Sequence, residues 1–112
     1  MVSSTSRILR NLSREEAFYF FASIGNYVGE SAASLKAFLE KIGSVNVKSL
    51  EFHLQREDFE KWINETLGDQ KLAAQIKDLR SQSITGENLR NHLCLVVARR
   101  YKELSSGSAT TM

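Results

Sequence analysis

Apolar residues recur along most of this chain at intervals of three and four, the spacing that gathers them on one face of an α-helix. Leu35, Phe38, Leu39 and Ile42 give the clearest stripe, and predict a helix from about Ser31 closed by Gly43 as a left-handed cap. Phe59, Trp62, Ile63 and Leu67 give a second, with Asp58 placed to cap its start and Gly68 to close its end. Between the two, Val47, Leu50 and Leu54 predict a short helix capped by Ser44 or Asn46 and interrupted near Gln55 and Arg56. Asp69 is placed to cap a further helix facing inward through Leu72, Ala73, Ile76 and Leu79. A last helix, about Gly86 to Leu104, turns Leu89, Leu93, Val96, Val97 and Leu104 inward.

The stretch before these is less regular. Ser13 and Glu16 have the spacing of a capping box, and the following residues, Ala17 to Ile24, are apolar nearly all round through Phe18, Tyr19, Phe20 and Phe21. We read a central buried helix there, with a strand as the alternative. Gly25 to Gly29, in the order Gly-Asn-Tyr-Val-Gly, reads as a turn that uses positive-φ positions. With no proline and no pair of alternating strands around a hairpin signal, the expected fold is all-α, a compact bundle of five to six short helices. The helical domain is expected over 13–104, after a flexible segment 1–12 and before a disordered tail 105–112.

Composition sets outer limits. The 112 residues are 42% hydrophobic, enough for one ordinary core. Apolar runs fall short of the roughly 18 to 20 residues that cross a bilayer, and Met1 to Thr5 has no signal-like pattern, so the expectation is a cytoplasmic protein without a membrane partner. Cys94 is the single cysteine, which excludes an intrachain disulfide and a multi-thiolate zinc site and is consistent with a small core residue. The net charge is +2, carried by mildly basic ends around a mildly acidic middle.

No catalytic constellation stands out. Gly25 and Gly29 lack the Lys-Ser/Thr of a phosphate loop, and nothing marks a catalytic residue, a cofactor or a metal site, so an enzyme is disfavoured. Of the two histidines, His53 can meet Glu57 if its helix continues, or Asp58 if the chain bends at Arg56. We read His53 as a brace for that bend, with an imidazole oriented by Asp58 near Trp62, in a small enzyme or ligand site, as the alternative. A metal site from His53, His92 and acids would need distant segments to converge.

Two surface features are candidates for binding. Phe18 and Tyr19, with Tyr27 and Val28 nearby, would mark a protein-binding patch if one helix face leaves them uncovered. The competing reading is a core helix covered on all sides. Arg7, Arg10 and Arg14 with Arg99, Arg100 and Lys102 would form a basic edge for nucleic acid if the two termini meet. Cations also gather at helix C-termini for dipole reasons, and the stripe is thinner than strong nucleic-acid binders carry.

The segments Phe20-Phe21-Ala22-Ser23-Ile24-Gly25, Ser34-Leu35, Ser49-Leu50-Glu51-Phe52-His53 and Asp58-Phe59-Glu60-Lys61-Trp62 resemble a family of small archaeal and bacterial proteins of unknown function. The resemblance spans Phe18 to Leu104 and centres on Ser-Leu-x-x-His followed by Asp-Phe-x-x-Trp. It implies a helical protein and carries no catalytic residues across. Many bacterial members have a Thr after the His and a longer interval before the Asp, whereas here Leu54 follows His53 and four residues separate it from Asp58. Any role for a longer loop is therefore absent. The leading expectation is a non-enzymatic module that binds a protein partner or a second copy of itself.

Overall fold

The computed structural model describes residues 4–107, and it departs from the all-α expectation at the aromatic stretch. Phe18–Ser23 is a strand, β1, paired antiparallel with β2, Asn26–Ala32. The fold is therefore helices plus a two-stranded sheet. The reason lies in the side chains: Phe18 and Phe20 are buried, Tyr19 is exposed and Phe21 half-buried, an alternation with period two that a run of bulky aromatics favours on a pleated surface. Ser13 and Glu16 do meet, at 3.3 Å, but they hold an isolated turn, bonded from the Glu16 and Ala17 amides to the Ser13 carbonyl, that leads straight into β1. A capping signal without room for a helix behind it leaves a turn.

The expected turn over Gly25 to Gly29 is divided. Ile24 and Gly25 alone make the hairpin turn, with Gly25 at φ +78°, where a side chain is disfavoured. Gly29, at φ +84°, sits inside β2 where the register slips: Tyr19 faces Ser31 but Phe21 faces Tyr27, so β2 holds two extra residues.

The remaining elements follow the sequence more closely. α1 is Ser4–Ile8, and its Ile8 reaches the core. α2, Leu35–Ile42, is capped by the Ser34 hydroxyl, which accepts from the Ala37 amide, and ends at Gly43 in a right-handed conformation rather than the expected left-handed one. α3, Val47–Gln55, is capped by Asn46. α4, Asp58–Lys61, begins after Glu57 in the left-handed region and continues into a π-helical stretch, Trp62–Leu67, that Gly68 closes at φ +85°. Asp58 does not cap it; its carboxylate turns to His53. α5 is Gln70–Ser81, capped by Asp69, and α6 is Gly86–Gly107. Of the ends expected to lack structure, residues 1–3 and 108–112 lie outside the described residues.

The core gathers the apolar faces of all these elements. Phe18 packs edge-on against Phe38 and tilted against Phe59, Phe20 stacks on Phe38 and tilts against Phe59, and Trp62 lies 5.2 Å from Phe38, ring centre to ring centre. Leu89, Leu93 and Val97 of α6 close the other side of the cluster. Among the described residues no helix is long and apolar enough to cross a membrane.

Candidate functional site

The break between α3 and α4 builds the site. Helix α3 stops at Arg56, and Glu57 at φ 66° reverses the chain so that Asp58 returns toward His53 one turn earlier. His53 Nδ1 lies 2.8 Å from Asp58 Oδ2, and His53 Nε2 accepts the Phe21 backbone N–H of β1 at 2.8 Å. A nitrogen that accepts an amide carries no proton, so the neutral ring must hold its proton on Nδ1 and donate it to Asp58. One buried imidazole thereby ties three elements together: α3, β1 and α4.

Burial lowers the His53 pKa from its ordinary value, against the opposing pull of Asp58. With Nε2 occupied by the backbone and Nδ1 by a carboxylate, the ring has no free nitrogen for a substrate or a metal. Its geometry is that of a brace at the bend, the arrangement the spacing from His53 to Asp58 permits. Among the described residues no group of three His, Cys, Asp or Glu side chains could hold a metal ion. His92 is elsewhere, exposed on α6, bonded to the Asn88 carbonyl.

Above this brace lies an open groove of about 690 Å³ between the hairpin and the α3–α4 corner. Phe18, Tyr19 and Phe21 form one wall with Ile24 and Gly25 at the hairpin tip; Phe52 and Trp62 form the other, over His53 and Asp58; Arg56, Lys61 and Glu65 stand at the rim. Trp62 is nearly buried and its indole N–H donates to the Glu16 carbonyl at 2.8 Å, which fixes the ring in place. Outside the groove the aromatic surface continues: Tyr27 lies 5.5 Å from Phe21 and 6.1 Å from Tyr19, ring centre to ring centre. Tyr27 is 47% exposed and Ile24 83%. Val28 packs toward the core instead.

The structure thus brings Phe18, Tyr19 and Tyr27 together with His53, Asp58 and Trp62, two groups that the sequence treats separately. It adds Ile24, Phe52, Arg56, Lys61 and Glu65, which sequence reading missed. The alternation through Phe18 to Phe21, read as a strand, is the signal that would have placed Tyr19 and Phe21 on one exposed face.

A sequence model of one protein family matches residues 3–98. The chain belongs to DUF5752, a family of unknown function. No curated protein and no solved structure matches it. In this DUF5752 member one basic residue from each group, Arg7 and Arg100, sits at the Gly68–Asp69 turn. The Arg7 guanidinium lies against Gly68, and Arg100 Nε donates to Asp69 Oδ2 at 2.8 Å. Two of the six cations are engaged inside the molecule: Arg10 bonds the Arg7 and Thr66 carbonyls, and Arg100 also meets Glu103 at 3.0 Å. Arg14, Arg99 and Lys102 are exposed.

Proposed function

We propose that this DUF5752 member is a non-enzymatic protein-interaction module that takes a segment of its partner in the groove between the hairpin and the α3–α4 corner. The observation that carries this reading is the uncovered aromatic surface: Tyr19, Phe21, Ile24 and Tyr27 stay in contact with water although the core beside them has room only for Phe18 and Phe20. Contiguous exposed aromatics at the mouth of a concavity have the composition of interface anchors, and they cost solubility unless a partner covers them. A groove near 690 Å³ falls in the range of side-chain and small-ligand sites. The occupied nitrogens of His53 support binding over catalysis, and the single half-buried Cys94 is consistent with a reducing, cytoplasmic setting.

The test is capture of partners from the native host with the parent chain and with an Ile24→Ser, Tyr27→Ser variant, both positions being exposed. The variant is expected to melt like the parent and to lose the captured protein. Retention of the same protein by the variant would move the interface elsewhere, and co-purification of nucleic acid in its place would favour the exposed cations near the two ends.

A further inference from the structure

The rim of the groove is not charge-neutral in what it leaves available. Arg56 is held in place from two sides, with Nε donating to Asp58 Oδ2 at 3.2 Å and the guanidinium carbon 5.2 Å from the centre of the Phe52 ring. Its two terminal nitrogens have no partner among the described residues. Lys61, which lines the same groove, has no ion pair among the described residues either, whereas Asp58 is already committed to His53 and Arg56. Glu65 is the one rim carboxylate left unpaired among the described residues. The available groups are therefore two cations against one anion, in a groove also lined by aromatic rings.

Resting on the proposed interaction role, we infer that the groove receives the C-terminal residue of a partner chain, its large apolar side chain between Phe21, Phe52 and Trp62 and its terminal carboxylate on Arg56 and Lys61. A guanidinium immobilised on an aromatic face presents its remaining N–H groups as a fork that matches a carboxylate. The 5.2 Å between that cation and the Phe52 ring sets the spacing a ligand must satisfy. An apolar group and an anion so close together are supplied by one residue that carries both. An internal acidic residue next to an apolar one points its carboxylate along a different direction from the main chain.

Trp62 is the only tryptophan of the 112 residues and lines the groove, so its fluorescence reports occupancy. The probes are N-acetyl-phenylalanine, its C-terminal amide, and N-acetyl-phenylalanyl-aspartyl amide, which carries its acid on an internal side chain. The free acid is expected to bind about tenfold tighter than the amide, the scale of one partly exposed charged hydrogen-bonded pair. Arg56→Gln or Lys61→Gln should bring the acid down to the amide, and Glu65→Gln should tighten it. Lys61→Gln breaks no side-chain hydrogen bond or ion pair among the described residues, so its result stands even if Arg56→Gln disturbs the corner. Equal binding of acid and amide would overturn the carboxylate assignment and leave the groove as a binding site. Tighter binding of the internal acid would overturn the C-terminal assignment. No response from Trp62 to any probe would overturn both this inference and the groove itself.

Discussion

At the scale of single residues, His53 and Ser49 make opposite use of burial on the same helix. The His53 ring is buried with both nitrogens satisfied, and deleting it strands the Phe21 amide and leaves the Asp58 carboxylate with Arg56 alone. His53→Ala is expected to destabilise the chain by about 2 to 4 kcal/mol in denaturant melts, and His53→Gln, which can still accept and donate, by less. The pH dependence has a definite sign. With its pKa in the folded state below the ordinary 6.5, His53 is neutral in both folded and unfolded chains above that value. As pH falls below 6.5 the unfolded chain takes up the proton first, so stability declines from there down to the lower folded-state pKa. Melts of the parent should show that decline, and His53→Gln should lack its share of it. Ser49 is fully buried and its hydroxyl has no hydrogen-bond partner among the described residues. Ser49→Ala removes an unpaid desolvation cost and adds helix propensity, so it should raise stability by up to about 1 kcal/mol. A loss of more than that would reveal a partner for the hydroxyl.

At the scale of elements, the hairpin is the part the sequence concealed, and its physical origin explains why. Four aromatics in a row satisfy a buried helix and a strand equally well, and the Ser13–Glu16 turn tips the local signal toward helix. The deciding fact is tertiary: α3 offers His53 to the outer edge of β1, and the core has places for Phe18 and Phe20 but not for Tyr19. The helices with one clean apolar face were legible because propensity, caps and burial agree there, as with Asn46, Asp69 and Gly68, although the Ser34 cap of α2 went unread. The candidate site was legible only in pieces. The His53 and Asp58 spacing announced the bend, but nothing local placed Phe52 opposite Phe21. The turn that closes the hairpin gives a test at this scale. A Cβ at Gly25 would meet nothing within 4 Å, so any cost of substitution is conformational. Gly25→Ala should cost about 1 to 2 kcal/mol, and Gly25→Asn less, since Asn tolerates the left-handed region. Equal costs would mean that the turn does not hold Gly25 at positive φ.

At the scale of the whole molecule, Arg7 of α1 and Arg100 of α6 come to the same turn, Gly68 and Asp69, and internal bonds hold two of the six cations of the expected basic edge, Arg10 and Arg100. Asp69 is 1% exposed, yet its carboxylate does two things: one oxygen accepts the Leu72 amide at the start of α5, and the other accepts Arg100 from α6. Arg100 in turn reaches Glu103, which also pairs with Lys71 of α5 at 3.1 Å. A buried carboxylate left without its cation is costly because the desolvation remains after the attraction is gone. Arg100→Gln is therefore expected to lower stability by about 3 kcal/mol, measured by chemical denaturation. Arg99→Gln, next to it but exposed, should change stability by less than about 0.5 kcal/mol. If Arg100 served a nucleic-acid surface, the pattern would be the reverse: both variants would melt like the parent, and each would flatten the salt dependence of binding as a phosphate contact is lost. Measuring stability and salt dependence on the same pair of variants separates a cation that holds α5 to α6 from one that waits for a ligand.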